Sequence, residues 1–103
     1  MIKTKYDFNF PEEVIDFDAK RIINQIWKLI PMRENDENWI FHLDILIEEI
    51  SGLGIILNKE SDFLILLSKL EGLRTVDEEN FMLYRKTVFR CIDLFSKVIK
   101  NDK

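Results

Sequence analysis

Apolar side chains recur along most of this chain at alternating three- and four-residue steps, the spacing that lines up one face of an α-helix. Ala19, Ile22, Ile23, Ile26 and Ile30 form a first stripe. Pro31 predicts its end, because the residue before a proline is pushed out of helical geometry. Trp39, Leu43, Leu46, Ile47 and Ile50 form a second stripe, and Phe63, Leu66, Leu67, Leu70 and Leu73 a third. The fourth is the longest and clearest, running through Phe81, Tyr84, Val88, Cys91, Ile92, Phe95 and Ile99. The pattern predicts four helices, near 18–30, 36–51, 59–72 and 76–100. Ile26, Leu46, Leu67, Val88, Ile92 and Phe95 are expected to be nearly inaccessible.

The residues between the stripes supply starts and stops. Pro11-Glu12-Glu13 has a proline and two acids where a helix begins, and Asp16 or Asp18 can cap a start one turn later. Asn35 or Asp36 is expected to cap the second helix. Gly52-Leu53-Gly54 marks its end, at Ser51, or else a weakened stretch if the helix runs on through Leu53 and Leu57. Asn58 to Asp62 is a polar break that can cap the third helix, and Gly72 reads as a C-terminal glycine closing that helix. Thr75-Val76-Asp77-Glu78 reads as a capping box: the Thr75 hydroxyl would accept from the backbone N–H of Glu78, whose side chain would reach back.

Residues 1–10 have a different period. Tyr6, Phe8 and Phe10 alternate with Lys5, Asp7 and Asn9, so one side of an extended segment is aromatic. A lone strand makes no sheet. The expectation is an arm packed over a groove of its own bundle; the alternative is an arm that docks on a partner or pairs with a second copy.

Composition agrees with the helical pattern. The chain of 103 residues is read as one domain, an arm over 1–10 and a helical bundle over 11–103. Three Gly and two Pro are too few for many short strands with tight turns. The fold class expected is therefore all-α, a small bundle of about four helices with a short extended N-terminal arm. With 47% hydrophobic and 33% charged residues, the chain can build a core and is not of disordered composition. Met1 to Phe10 lacks the apolar run of a secretory signal, no apolar stretch approaches a membrane span, and the one cysteine cannot form an internal disulfide. A reducing, cytoplasmic setting with no membrane partner is expected.

Charge is uneven. Residues 36–73 hold eight acidic and two basic side chains, net −6, whereas residues 74–103 hold five acidic and seven basic, net +2. An acidic middle repels phosphate and speaks against nucleic acid as the main partner. The fourth helix still carries Lys86, Arg90 and Lys97 on one face, which leaves a local phosphate contact open, although Asp93 interrupts that face.

No phosphate-binding loop, dinucleotide fingerprint or nucleophile elbow is present. Cys91 lies on a core stripe, where a thiol is a small hydrophobe, and a thiol enzyme would need a base that a single histidine scarcely supplies. His42 and Glu49 share a side of the second helix, with Asp44 and Glu48 nearby, but no Glu-x-x-His motif sets them up for a metal. The expectation is no metal, no cofactor and no catalysis, with His42 hydrogen-bonded at the core edge. Trp27 and Trp39 are expected as core or core-edge anchors. Small size, acidity and helical content are shared with small immunity, inhibitor and adaptor proteins, a likeness of composition without a motif.

What remains is apolar surface beyond one face per helix. Ile65 points roughly 160° away from its stripe at about 100° per residue. Leu83 and Leu94, eleven residues apart, align off the fourth stripe, and Phe41 and Ile45 fall to one side of the second. Either the third helix is buried all round, or these residues form exposed patches of the kind that mark interfaces. The functional expectation is a non-enzymatic protein-binding module: a small inhibitor, immunity-type protein, adaptor or complex subunit. Its partner-binding candidates are Tyr6, Phe8, Phe10, Asp44, Glu48, Ile65, Leu83 and Leu94. The partner would be another protein, a basic one or a second copy of the chain. The alternatives are a self-assembling structural dimer, and a minor subunit of a nucleic-acid machine that touches phosphates through Lys86, Arg90 and Lys97.

Overall fold

The structure, a computed structural model, describes the backbone of residues 2–3, 9–10 and 12–100 and the side chains of residues 16–100. Two short strands, β1 (Ile2–Lys3) and β2 (Asn9–Phe10), precede five helices: α1 (Glu12–Trp27), α2 (Leu29–Glu34), α3 (Trp39–Ile56), α4 (Leu64–Gly72) and α5 (Phe81–Lys100). The expected all-α bundle is what forms. The N-terminal segment is not a single strand, because β1 pairs antiparallel with β2, Ile2 opposite Phe10 and Lys3 opposite Asn9. Tyr6 and Phe8 lie outside the described residues.

The helices differ from the expected ones mainly at their ends. α1 starts at Glu12, so the Pro11-Glu12-Glu13 start operates rather than one at Asp16 or Asp18. Pro31 interrupts the helix without ending it. It lacks the N–H that the Trp27 carbonyl would receive, and the break between α1 and α2 falls at Lys28. On either side, Lys28 N–H donates to Asn24 O and Met32 N–H to Lys28 O, each at 3.1 Å. Asp36 does not cap α3. It takes the left-handed conformation (φ 55°) just past α2, while Asp36 N–H donates to Arg33 O and Glu37 N–H to Met32 O. This pairing of a left-handed residue with two backward hydrogen bonds satisfies the last carbonyls of a helix. The cap of α3 is instead Asn38, whose side chain accepts from Phe41 N–H.

α3 runs straight through Gly52 and Gly54 to Ile56. Its end repeats the α2 device with Asn58 (φ 59°): Asn58 N–H donates to Ile55 O and Lys59 N–H to Gly54 O. Gly72, by contrast, keeps an ordinary helical φ of −62°, and α4 tightens into a 3-10 turn over Leu73–Thr75. The Thr75 hydroxyl donates to Gly72 O at 3.0 Å, so the expected capping box does not form. Val76 is extended (ψ 122°) and the Arg33 guanidinium donates to its carbonyl, which delays the next helix. A 3-10 turn over Glu78–Asn80 then leads into α5 at Phe81.

α3 and α5 each pack against both α1 and α4, which closes a ring of four helices; α2 fills the end between α3 and α5. Ile26, Leu29, Leu43, Ile50, Phe63, Leu66, Leu70, Leu73, Val88 and Phe95 are fully buried inside it. Phe63 and Phe95 stack with centroids 5.7 Å apart, which fixes α4 on α5. Leu67 and Ile92 are only partly buried, because each sits at the edge of its stripe. The Tyr84 hydroxyl, also buried, donates to Leu29 O at 2.8 Å. The Arg33 side chain lies over the rings of Trp39 and Tyr84, its Cζ 4.4 and 4.7 Å from their centroids, and ties α2, α3, α5 and the Val76 turn together.

Candidate functional site

α3 is apolar nearly all round, yet the ring covers only one of its sides. Leu43, Leu46 and Ile50 face the core, whereas Ile40, Phe41, Ile45, Ile55 and Ile56 are exposed. Apolar residues on every side are what a helix has when every side is buried. Phe41, the most exposed of the five at 60%, lies one turn before Ile45, which lines the seam with α1, and Ile56 continues their line eleven residues past Ile45. Phe17 of α1, 73% exposed, adds a further ring.

The seam between α1 and α3 holds two adjoining clefts. One, of about 290 Å³, is lined by Asp18, Arg21, Glu48, Glu49, Gly52 and Ile56 among others. The other, of about 210 Å³, is lined by Gln25, His42, Ile45, Leu46 and Glu49. Glu49 belongs to both, and its ion pair with Arg21 at 3.1 Å stands between them. Burial works against the Arg21 charge, but the hydrogen bond and field of Glu49, followed by those of Asp18, outweigh it and raise its pKa. His42 meets the expectation of a hydrogen-bonded residue at the core edge: Nε2 donates to Gln25 O at 2.8 Å, which holds α3 on α1. Thus Asp18 and Glu49 answer Arg21, whereas no cation among the described residues is paired with Glu48. α3 itself contains Asp44, Glu48 and Glu49 and neither Lys nor Arg.

The other residues singled out from the sequence are scattered. Asp44 turns to the α4 side, where Arg74 bridges it to Glu71; hydrogen bonds from Glu71 and then Asp44 hold the Arg74 pKa above its ordinary value. Ile65 is 62% exposed on α4, so that helix is not buried all round, and Leu83 is about half exposed on α5. Leu94 is different: it is partly buried and packed on the core, so it forms no exposed pair with Leu83. Lys86, Arg90 and Lys97 are exposed on α5, but Asp93 takes Arg90 at 3.7 Å and Lys97 at 3.2 Å. Trp39 is partly buried on the core and packs edge-on against Tyr84, as expected. Trp27 is not a core anchor; it is nearly half exposed and tilts against Phe89, its centroid 5.1 Å away across the α1–α5 seam. Cys91 is fully buried, and burial pushes its thiol up to about 12.

Sequence reasoning noticed Phe41 and Ile45 but missed the lower half of the face, Gly52, Ile56 and Phe17. The signal was present in the eleven-residue spacing from Ile45 to Ile56. It is masked because the two glycines leave the end of the helix open between Ser51 and Leu57. Among the described residues, no group of three His, Cys, Asp or Glu side chains is placed to hold a metal ion, and no helix is long and apolar enough to cross a membrane. Comparison with family models, curated proteins and solved structures finds no match for the chain.

Proposed function

We propose that this protein is a non-enzymatic protein-binding module, acting as a small inhibitor, adaptor or complex subunit, and that it docks another protein chain on the exposed face of α3. The observation that carries this reading is the helix itself. α3 leaves Ile40, Phe41, Ile45, Ile55 and Ile56 exposed, on an element whose every side is apolar. Exposed apolar patches of this kind, rimmed by charge, are the usual make-up of an interface. The rim is acidic. In a two-fold dimer through this face Glu48, which no cation among the described residues neutralises, would come near its own copy, so a basic partner suits the face better.

A second reading has its own observation. α5 contains Arg85, Lys86, Arg90, Lys97 and Lys100 against one acid, and the α1–α5 seam exposes Trp27 and Phe89. One copy would then offer its α1–α5 seam to the α3 face of the next, a head-to-tail contact.

The test joins affinity capture from the cell that makes the protein with light scattering of the pure chain. A variant carrying Phe41→Asp and Ile45→Asp should fold as the parent does and lose the captured partner. Mass that grows with concentration and is abolished by the same variant would favour the head-to-tail reading. Capture and mass both unchanged by the variant would remove α3 as the interface.

A further inference from the structure

Gly52 has no internal reason to be glycine. It lies inside α3, four residues before the helix ends, its φ is not positive, and a Cβ built on it would meet nothing within 4 Å. A glycine in a helix interior is less stable than alanine there, so the bare backbone needs another cause. Gly54, two residues on, shows what an internal cause looks like, because the Phe63 ring occupies the place of its side chain. Gly52 instead lines the larger cleft between α1 and α3, in company with Asp18, Arg21, Glu48, Glu49 and Ile56.

Resting on the protein-binding reading, we propose that the α1–α3 seam is a groove that receives a single amphipathic helix of a basic partner, whose backbone comes closest at Gly52. Three features select this occupant. The two clefts, with the Arg21–Glu49 ion pair between them, together span His42 to Ile56 along α3; fourteen residues at about 1.5 Å each give about 21 Å, the length of a four-turn helix. A helix satisfies its own backbone and needs only an apolar seam, which Ile45, Ile56 and the outlying Phe17 and Phe41 would flank. The charged lining is Asp18, Arg21, Glu48 and Glu49, three acids against one base, and Glu48 has no cation paired with it among the described residues. The matching helix has aliphatic residues at three- and four-residue steps and Lys or Arg on both flanks.

The probe is a labelled synthetic helix of about 18 residues with a leucine seam and lysine flanks, beside a twin in which every lysine is glutamate. Fluorescence anisotropy on the full chain should show the lysine helix binding about tenfold or more tighter than its twin, and weakening as salt is raised. Gly52→Leu should unfold no more readily than the parent, because the space above the backbone is open, and should lower the affinity for the lysine helix by about tenfold or more. Gly52→Ala, a smaller intrusion, should fall between the two. Absence of binding by the lysine helix, equal binding by the twin, or parental affinity in Gly52→Leu would each overturn the proposal. So would unfolding of Gly52→Leu, which would mean that the space above Gly52 is not free. Self-association of the parent that Gly52→Leu abolishes would assign the groove to a second copy. If Phe41→Asp with Ile45→Asp loses the cellular partner while Gly52→Leu keeps it, the binding module stands and the groove assignment falls.

Discussion

The ring of Phe63 lies across Gly54, so that a side-chain carbon on Gly54 would come within 2.8 Å of Phe63 Cδ2. Phe63 cannot yield, because it is fully buried and stacked on Phe95. Gly54→Ala should therefore lose about 1–3 kcal/mol to overpacking, in spite of the better helix propensity of alanine. Gly52→Ala should gain about 0.5–1 kcal/mol from propensity alone. Denaturant unfolding of the two variants should shift the midpoint in opposite directions. A loss at Gly52 as large as that at Gly54 would remove the distinction between an internal and an external cause for these glycines.

Core truncations should separate the centre of each stripe from its edge. Phe95→Ala removes a fully buried ring and should cost about 3–5 kcal/mol. Leu67→Ala and Ile92→Ala remove partly buried side chains and should cost about 1–2 kcal/mol each. Equal losses at all three positions, measured by thermal or denaturant unfolding, would contradict the placement of Leu67 and Ile92 at the edges.

Periodicity carried the architecture because burial imposes it: each long helix keeps its core stripe where the apolar spacing puts it. The ends depended on contacts that no local window contains. Asp36 and Asn58 took left-handed positions after helices rather than caps before them, and Gly72 was not needed to stop α4 because the Thr75 hydroxyl donates to its carbonyl. The turn before α5 is held by Arg33, forty-three residues before the Val76 carbonyl to which it donates. The candidate face was half legible. Phe41 and Ile45 stood out by angle, but its continuation to Ile56 required a helix that ignores two glycines. Leu94 stands off its stripe by angle, yet it packs on the core, because angle alone does not show which neighbours cover a helix flank.

Alkaline unfolding should report on Cys91. Burial raises its thiol from 9.0 to about 12, so above pH 9 the unfolded chain releases a proton that the folded chain retains. Stability must then fall as pH rises from about 9, with a slope approaching about 1.4 kcal/mol per pH unit for this one group, until the folded thiol also ionises. Tyr84, raised by burial although the Arg33 charge opposes it, adds a second proton of the same sign above its ordinary value of 10.0. Between pH 9 and 10 the slope should belong to Cys91, and Cys91→Ala should flatten it there, leaving above pH 10 only the shallower fall that Tyr84 contributes alone. A thiol reagent should label native Cys91 slowly and the denatured chain fast; rapid native labelling would move the thiol to the surface.

Aspartate substitutions at Ile65, Leu83 and Leu94 should divide the surplus apolar residues into surface and support. Ile65→Asp and Leu83→Asp place a charge on side chains that are 62% and 48% exposed, so each should change stability by no more than about 0.5 kcal/mol. Leu94→Asp puts the charge against the core that Leu94 helps to cover and should cost about 2 kcal/mol or more, because a carboxylate there is partly desolvated and unpaired. The same set measures where a partner docks. With the interface on α3, Ile65→Asp and Leu83→Asp leave association at the parental level, whereas Phe41→Asp with Ile45→Asp weakens it by about tenfold or more. Loss of association in Ile65→Asp alone, with its fold intact, would shift the interface to α4. Loss in Leu83→Asp alone would shift it to α5, the helix that carries Lys86 and Arg90.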